Sequence, residues 1–313
     1  MKKVIVTGAT GFIGEALCEE LIKRNYEVIA IVRNMSKVSE VWKNRVHYVV
    51  CELENIQEID KKIEDRDIDI FFHFGWDGLT EPKRSNIDIQ LNNVKNAYQA
   101  LMSAKKIGCR RFVYAGSIME YEAIHDLAST SEMTGMGKLY AGAKMYADYV
   151  CKTKSRELQI EYITLIISNI YGPTDKSRRF INSTADKMLK NEDIKLSSCE
   201  QMYDFIYIKD AVSQMIAVAE RGKDLERYYI GNSKPRRLKE FVFAMKKVLN
   251  SSSELHFGAI ERKGSDLNYE ELDTNKVGRE LGIQPTVDFE TGIGYLKTEK
   301  LCILEKMEEF TDW

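Results

Sequence analysis

Short apolar runs alternate with longer amphipathic stretches along the first half of the chain. The apolar runs are rich in Val, Ile, Phe and Tyr, and they predict strands over Val4–Thr7, Val28–Val32, Val46–Cys51, Ile68–Phe74, Arg111–Ala115 and Glu161–Ile167. The amphipathic stretches between them include Glu15–Arg24, Leu91–Lys106 and Gly137–Lys154. Strands that alternate with helices indicate βαβ units and a parallel sheet covered on both faces. The strands lack strict polar alternation, as expected when both faces are buried.

The second half of the chain is less regular. After Asn169–Asp175, the pattern predicts helices over Arg179–Lys190, Asp210–Glu220 and Lys239–Leu249, and strands near Asp204–Ile208 and within "YYIGNS". We therefore expect an α/β protein with a Rossmann-type, doubly wound parallel sheet in residues 1–173. Residues 174–313 would mainly form a smaller α/β substrate lobe, and the chain would return to the first domain around residues 204–232.

Composition narrows the class of protein further. The 46 basic and 48 acidic residues give a formal charge of -2, which offers no reason to expect a nucleic-acid or membrane partner. The six cysteines are widely spaced and form no CxxC pair, as is typical of a reducing compartment. The apolar run Val4–Val6 is too short for a signal peptide, and no later run is long enough to span a membrane. These features predict a cytoplasmic protein.

A glycine-rich turn follows the first predicted strand. In "VIVTGATGFIGEAL", Gly8, Gly11 and Gly14 lie between a strand and a helix, as in a dinucleotide fingerprint. Residues without Cβ atoms allow a tight turn and let the backbone approach a pyrophosphate, whose charge the helix N-terminus favours. The next strand, Val28–Val32, follows in the expected order. The motif predicts binding of a dinucleotide.

The residue after the second strand bears on the choice of cofactor. An acid there bonds the adenosine ribose, whereas an arginine accommodates a 2′-phosphate. This chain has Arg33 at that position and Lys37 nearby. Arg33 in a solvated loop is the alternative interpretation, but the pattern favours NADP(H) over NAD(H).

A tyrosine and a lysine four residues apart lie in "LYAGAKMYAD". Tyr140 and Lys144 would share one face of a helix, with only small residues between them. A pair this short also occurs by chance on surface helices. Its significance therefore depends on the other motifs.

Taken together, "TGATGFIG", "AGSIMEY" and "YAGAK" resemble the extended short-chain dehydrogenase/reductases that act on nucleotide sugars. The resemblance runs through nearly the whole chain and includes "FFHFGWDG", "QLNNVKNA", "NIYGP" and "YDFIYIKDA". It implies cofactor contacts from Gly8, Thr10, Gly11, Phe12, Ile13, Arg33, Lys37, Glu52, Leu53, Phe74, Gly75, Trp76, Asn93, Tyr140 and Lys144.

The resemblance also implies a catalytic role for the tyrosine–lysine pair. Tyr140 would exchange a proton with the substrate oxygen while a hydride moves to or from the nicotinamide. A free tyrosine has a pKa of about 10, so the positive charge of Lys144 would favour tyrosinate and the lysine would also bond the nicotinamide ribose. Ser117 would hold the substrate carbonyl beside Tyr140.

On the substrate side, the resemblance implies contacts from Ser117, Met119, Asn169, Arg179, Tyr203 and Arg262. Asn169 matches the family asparagine beside the sugar nucleotide, and Arg262 resembles a diphosphate-binding arginine. Tyr203 replaces the arginine usual in that segment, and Ile166 stands where another arginine is common. These departures leave the nucleotide open.

Other differences from the family pattern reduce the number of reaction types that fit this chain. Dehydratases of this family carry an Asp-Glu pair directly after the catalytic Thr or Ser, whereas Ile118 and Met119 follow Ser117 and cannot transfer a proton. Related epimerases usually have an acid at the position of Arg33 and retain NAD. "FGWDGL" resembles a segment of nucleotide-sugar 4-ketoreductases, although Trp76 could equally be a core aromatic.

These motifs predict an NADPH-dependent reductase of a nucleotide-linked 4-keto-6-deoxy sugar. The alternatives are a nucleotide-sugar epimerase that retains NAD, a reductase of a non-sugar ketone and a catalytically silent dinucleotide sensor. The four histidines lack metal-ligand spacing, so no metal site is predicted, and His73 is expected to be structural. By resemblance, the helices at Leu91–Lys106 and Leu139–Lys154 would pair in a homodimer.

Overall fold

A computed structural model describes residues 1–38, 42, 45–128, 137–177, 179–261 and 267–309. Contacts between residues divide the chain into two compact units. Unit 1 comprises Met1–Ile167, Val212–Ile230 and Asn275–Ile283. Unit 2 comprises Ser168–Ala211, Gly231–Thr274 and Gln284–Trp313. The assignment of residues 1–173 to the cofactor and 174–313 mainly to the substrate remains a prediction.

Strands and helices alternate along the first half of the chain, as the hydrophobic pattern predicts. The elements up to residue 167 are β1 (Lys3–Thr7), α1 (Phe12–Lys23), β2 (Glu27–Val32), β3 (His47–Val50), α2 (Ile59–Lys62), β4 (Ile70–His73), α3 (Ile87–Ile107), β5 (Arg111–Ser117), α4 (Met119–Ala128), α5 (Lys138–Leu158) and β6 (Glu161–Ile167).

The later elements are shorter. They are β7 (Asn169–Tyr171), α6 (Phe180–Leu189), β8 (Ile194–Lys195), β9 (Met202–Tyr203), β10 (Phe205–Tyr207), α7 (Ile208–Arg221), β11 (Arg227–Ile230), β12 (Arg236–Arg237), α8 (Leu238–Leu249), β13 (Leu255–His256), α9 (Lys276–Leu281) and α10 (Phe289–Glu309).

Among the described residues of unit 1, seven parallel strands form one sheet in the order β11-β6-β5-β4-β1-β2-β3. This order confirms the predicted Rossmann-type fold. Because all the strands are parallel, their carboxyl ends lie along one edge, and ligands of such sheets bind there where the strand order reverses. The Gly8 turn after β1 and the loop after β4 lie at that reversal.

Apolar side chains cover the sheet of unit 1. Phe71, Phe112 and Tyr162 stack across β4, β5 and β6, with ring centroids 5.2 and 6.0 Å apart. All three side chains are fully buried. The helices α3 and α5 also pack against each other. This rigid layer fixes the positions of the strand ends and the start of α5.

The core of unit 2 is an aromatic cluster. Phe241 lies edge-on to Phe205 and Phe289, with centroid separations of 4.9 and 4.7 Å. The hydroxyl of Tyr171 donates to the carbonyl of Phe289 at 3.2 Å, so this polar group is satisfied inside the cluster. β7 and β10 form a parallel pair in this unit, with Asn169 opposite Phe205.

The helices in the described part of the chain are too short or too polar to cross a membrane.

Candidate active site

The turn after β1 has the geometry of a phosphate-binding loop. Gly8 has φ +70°, and a Cβ atom on Gly14 would lie 2.1 Å from the carbonyl oxygen of Gly8. Only glycine at position 14 therefore lets α1 approach the turn so closely. Gly11 is the N-cap of α1 and supplies no side-chain cap. The first amides of the helix, which include those of Phe12 and Ile13, have no intrahelical acceptor. Such amides suit a phosphate group.

Thr10 lies in the same turn, between Gly8 and the start of α1. Its side chain is half-buried beside the loop. The turn thus brings Gly8, Thr10, Gly11, Phe12 and Ile13 together at the carboxyl edge of the sheet, as the motif predicts. These residues fit a dinucleotide pyrophosphate, because the close helix–strand approach leaves backbone amides rather than side chains facing it.

Arg33 directly follows β2 and is exposed. The next residue, Asn34, caps a short 3-10 turn, with its side chain accepting from the Ser36 amide at 3.2 Å. Lys37 ends that turn, and its side chain lies outside the described part of the structure. Since β1 and β2 are adjacent and parallel, Arg33 lies on the same edge as Gly8.

Glu52 and Leu53 lie after β3, at the start of a 3-10 segment. Glu52 is exposed, whereas Leu53 is half-buried. A Cβ atom on Gly75 would lie 2.6 Å from the Cδ2 atom of Leu53, so Leu53 packs on the backbone of the loop after β4. The structure thus brings Leu53 to Gly75, as expected if both border one cofactor.

The buried Thr7 hydroxyl organises the end of β4. Its Oγ1 atom accepts from the amides of Phe74 and Gly75 at 3.1 and 3.0 Å, and lies 3.0 Å from Nδ1 of His73. With both acceptor positions in use, the hydroxyl donates to Nδ1 and the proton of His73 is on Nε2. Burial lowers the pKa of His73 to about 3, with the nearby Lys144 charge acting in the same direction. His73 is therefore a neutral structural residue.

Asn93 clamps the loop that follows β4. Its Oδ1 atom accepts from the Asp77 amide at 3.0 Å, and its Nδ2 atom donates to the Asp77 carbonyl at 2.8 Å. The Nε1 atom of Trp76 donates to Gln90 at 3.0 Å. Asn93 and Gln90 on α3 thus hold Trp76 in place. A cofactor contact by Asn93 remains a prediction, since both ends of its amide already bond the loop.

Ser117 ends β5 and is buried. Its Oγ atom accepts from the amide of Met119 at 3.2 Å, which positions the hydroxyl at the start of α4. The thioether of Met119 accepts from the Nη2 atom of Arg84. Ser117 and Met119 are thus brought together beside Arg84.

The rings of Trp76 and Tyr140 lie edge to face, with centroids 6.1 Å apart and planes at 82°. Lys144 is buried one helical turn beyond Tyr140, and its Nζ atom lies 3.8 Å from the centroid of the Trp76 ring. Nζ also donates to the carbonyl of Ala115 on β5 at 2.8 Å. Trp76 is part of the core and also contacts both members of the Tyr140–Lys144 pair. A contact of Trp76 with the cofactor remains a prediction.

Two cations lie near the ring of Tyr140. The guanidinium carbon of Arg84 lies 4.8 Å from the ring centroid and the Nζ atom of Lys144 lies 6.0 Å from it. Positive charge at the face or edge of a phenol favours the tyrosinate form. Burial lowers the pKa of Lys144, and the carboxylates of Glu120 and Asp148 oppose that shift.

The predicted substrate residues of the later chain lie in unit 2. The side-chain amide of Asn169 donates to the carbonyl of Asp204 at 3.4 Å. The ring of Tyr203 stacks on Phe205, with centroids 5.5 Å apart. Arg179 is the N-cap residue of α6 and is exposed. Arg262 lies outside the described residues. Their contact with a substrate remains a prediction.

Three charged residues near this site were not predicted from sequence. Arg84 lies in the 3-10 segment Lys83–Ser85, which Pro82 caps, and belongs to no motif. Glu120 lies in "AGSIMEY", where an acid three residues after Ser117 was the available signal. Arg227 contacts Glu120 across 107 positions, and no local pattern indicates that pairing.

Comparison with known proteins places this chain in a family. Residues 4–231 match the family model described as "NAD dependent epimerase/dehydratase family". The chain is 27% identical over 301 residues to CDP-abequose synthase of Salmonella muenchen, covering 93% of this chain and 96% of that protein. It is 23% identical over 312 residues to dTDP-4-dehydro-6-deoxyglucose reductase of Escherichia coli, covering 96% and 98%.

Solved structures show the same fold. The dTDP-glucose 4,6-dehydratase DesIV from Streptomyces venezuelae, solved with NAD bound, superposes with a TM-score of 0.79 at 21% identity. The match covers 96% of this chain and 97% of that one.

The fold and site define an enzyme of the extended short-chain dehydrogenase/reductase class, which uses NAD or NADP. The chain belongs to the NAD-dependent epimerase/dehydratase family. The two relatives named above are enzymes named for nucleotide-linked sugars.

Proposed function

We propose that the chain is an NADPH-dependent reductase of a nucleotide-linked 4-keto-6-deoxy sugar. When bound, the cofactor supplies the hydride through its nicotinamide. Tyr140 donates the proton to the substrate oxygen, and Ser117 orients that oxygen. Lys144 favours tyrosinate after proton transfer and bonds the nicotinamide ribose.

The observation that carries this proposal is the surroundings of Ser117. Ile118 is buried and apolar, and the thioether of Met119 is engaged by Arg84. The next acid, Glu120, is fully buried, and its Oε1 atom accepts from the amide of Ser117 at 2.8 Å. A dehydratase needs an additional acid and base at the substrate, and these three side chains offer none there. Simple reduction at a carbonyl needs only Ser117 and Tyr140.

The proposed cofactor is NADP(H), since Arg33 stands exposed at the end of β2. An arginine at this position can bond a 2′-phosphate, whereas the acid found in many NAD-binding proteins would repel it. A reductase must exchange its cofactor at every turnover, and NADPH is the usual reductant. The relative named as a dTDP-4-dehydro-6-deoxyglucose reductase supports the substrate class.

The purified protein tests the proposal directly. It is mixed with NADPH or NADH and a panel of 4-keto-6-deoxy sugars linked to CDP, dTDP, UDP or GDP. We expect net consumption of NADPH and a product heavier than the substrate by the mass of H₂. Tyr140→Phe is the control, because it removes the proton donor and keeps the ring. A product of unchanged mass, with NAD recovered from the denatured protein, would instead identify an epimerase.

We also propose a homodimer formed by α3 and α5 in the cytoplasm. Leu91, Tyr146 and Tyr149 are exposed on these helices at 55%, 55% and 69%. Four more apolar or aromatic side chains on the same helices are half-buried: Tyr98, Met102, Met145 and Val150. An apolar surface spread over two adjacent helices suits a four-helix contact across a two-fold axis.

A further inference from the structure

A carboxylate lies directly behind the end of β5. The side chain of Glu120 is fully buried, and its Oε1 atom accepts from the Ser117 amide at 2.8 Å. A Cβ atom on Gly116 would lie 2.7 Å from the same oxygen. Glycine at position 116 therefore makes the room that this carboxylate occupies. The bond ties the first turn of α4 to the strand residue that carries the Ser117 hydroxyl.

Glu120 belongs to a buried group of charges. Asp148 on α5 accepts from the Tyr162 hydroxyl at 2.9 Å and from the hydroxyl of Thr164, and its side chain is 1% exposed. Arg227 on β11 pairs with Asp148, and its Nη2 atom lies 3.5 Å from Oε2 of Glu120. One guanidinium thus lies against two carboxylates.

The net charge of this group is balanced by Lys144. Burial, together with the neighbouring Asp148 charge, raises the pKa of Glu120 to about 7. Above that pH, Glu120, Asp148 and Arg227 are all ionised, and the three side chains carry one excess negative charge. The buried ammonium of Lys144, one helical turn before Asp148, neutralises it. An isolated buried charge is costly, so the four side chains favour the protonated lysine together.

We propose that Glu120, held by Arg227, is a positioning residue for proton transfer: it fixes the backbone of Ser117 and keeps the Lys144 ammonium charged. This inference rests on the roles proposed above for Ser117, Tyr140 and Lys144. Glu120 itself is buried behind the strand and acts through these residues.

Several titratable or charged groups face this cluster from other elements. They are His73 on β4, Tyr114 on β5, Tyr121 on α4, Tyr140 and Cys151 on α5, and Tyr162 on β6. Burial raises the pKa of Tyr114, Tyr162 and Cys151, and lowers that of His73. These four groups stay neutral around neutral pH. Burial lowers the pKa of Lys144, and the carboxylates that oppose this shift are Glu120, once it is ionised, and Asp148.

The test measures the protonation of Lys144 in the cofactor-free protein. Lysine carrying ¹⁵N at Nζ is incorporated, and its NMR signals are followed against pH. Lys144→Arg assigns the signal by removing it. Glu120→Gln keeps an oxygen that can accept from the Ser117 amide but removes the negative charge. We expect the pKa of Lys144 to fall, with at least a roughly tenfold change in its protonation equilibrium.

Two further variants keep the test decisive. Glu157→Gln removes the same charge about 20 Å further along α5, thirteen residues from Lys144, and should leave the Lys144 signal unchanged. Arg227→Gln removes the cation and should raise the pKa of Lys144, the opposite sign. If Glu120→Gln does not fold, the direction of the change in the pKa of Lys144 in Arg227→Gln tests the proposal instead. An unchanged or raised pKa in Glu120→Gln, or a fall in Arg227→Gln, would overturn the proposal.

Activity then separates this inference from the proposed function. If the reductase assignment is correct, Glu120→Gln should move the basic limb of the kcat/KM pH profile to lower pH, because Lys144 then loses its proton earlier. A shifted Lys144 signal in a protein that reduces no nucleotide sugar would reject the proposed reaction and support the electrostatic role of Glu120. A normal pH profile with an unshifted Lys144 signal would reject the role of Glu120 alone.

Discussion

The Nζ atom of Lys144 lies 3.8 Å from the centroid of the Trp76 ring, within cation–π range. The same nitrogen donates to the Ala115 carbonyl, so its position is fixed from two sides of the site. Trp76 in turn lies edge to face with Tyr140. A residue from the loop after β4 therefore contacts both members of the Tyr140–Lys144 pair on α5.

Replacement of Tyr140 by Phe tests the proposed proton donor. The ring contacts with Trp76 and Arg84 should survive, since only the hydroxyl is removed. We expect kcat to fall by about 10²–10⁴-fold, the usual contribution of a general acid. The dissociation constant of the cofactor should stay nearly unchanged. Stopped-flow turnover and a fluorescence titration with NADPH measure the two effects, and near-normal turnover would reject the assignment of Tyr140.

Much of the frame around this pair could be predicted from the sequence. The strand ends at Thr7, Val32 and Ile167 follow from short apolar runs, and the glycine spacing predicts the turn after β1. The strand β5 continues two residues beyond the predicted end at Ala115, to Ser117. The predicted boundary of a helix is less accurate where a polar side chain caps the helix. The helix predicted from Leu91 begins at Ile87, because the Asn86 side chain accepts from the Ile89 amide at 3.1 Å and caps it there.

The features of the site that were not predicted depend on contacts between segments distant in the sequence. Glu120 and Arg227 meet because β11 pairs with β6 at the edge of the sheet, and a single sequence does not specify that order. Helix α4 was missed as well. It has only ten residues, with Glu120 and Glu122 in its first turn, so its apolar periodicity is weak. Among the buried charges behind Ser117, Glu120 lies on the missed helix α4, whereas Asp148 lies on the helix predicted over Gly137–Lys154. The contact of both carboxylates with Arg227 was not predicted.

The free energy of unfolding at acid pH should depend on the protonation of the buried His73 imidazole. Its pKa is about 3 in the folded protein against 6.5 for an exposed histidine, so between these values the unfolded chain binds the extra proton. The stabilisation is present above pH 6.5 and is lost as pH falls towards 3, with a slope of up to about 1.4 kcal/mol per pH unit.

His73→Asn should flatten that part of the profile, because Asn keeps a polar atom towards Thr7 and does not titrate. Urea unfolding at a series of pH values measures the slope. His125 is exposed on α4, so His125→Asn is the matched control and should leave the slope as in the wild type. Equal slopes for the wild type and His73→Asn would show that His73 is not held neutral.

The proposed dimer predicts a response to charge on α5. Tyr149 is 69% exposed, and Tyr149→Glu would place a charge in the apolar contact. We expect light scattering to give a dimer for the wild type at micromolar concentration and a monomer for the variant. Phe243→Glu alters an apolar side chain of similar exposure, 51%, on α8 and should not change the mass. A monomeric wild type would exclude this assembly.

Cofactor preference separates the proposed reductase from an epimerase. If Arg33 meets the 2′-phosphate, the charged hydrogen bond contributes about 1.5–3 kcal/mol, which gives a roughly ten- to a hundredfold preference for NADPH over NADH. Arg33→Asp should erase or invert this preference, because an acid repels the phosphate and can accept bonds from the unmodified ribose.

Lys37 follows closely in the chain and can keep part of the preference, so changing it as well should go further. The measurement is the dissociation constant of each cofactor for the wild type, Arg33→Asp and the double variant, at one ionic strength, because phosphate contacts weaken with salt. Arg24→Asp, at the C-cap of α1 and away from the Gly8 turn, controls for the change in net charge. If the wild type binds NADH as tightly as NADPH, Arg33 does not read the phosphate and the case for an epimerase with retained NAD becomes the stronger one.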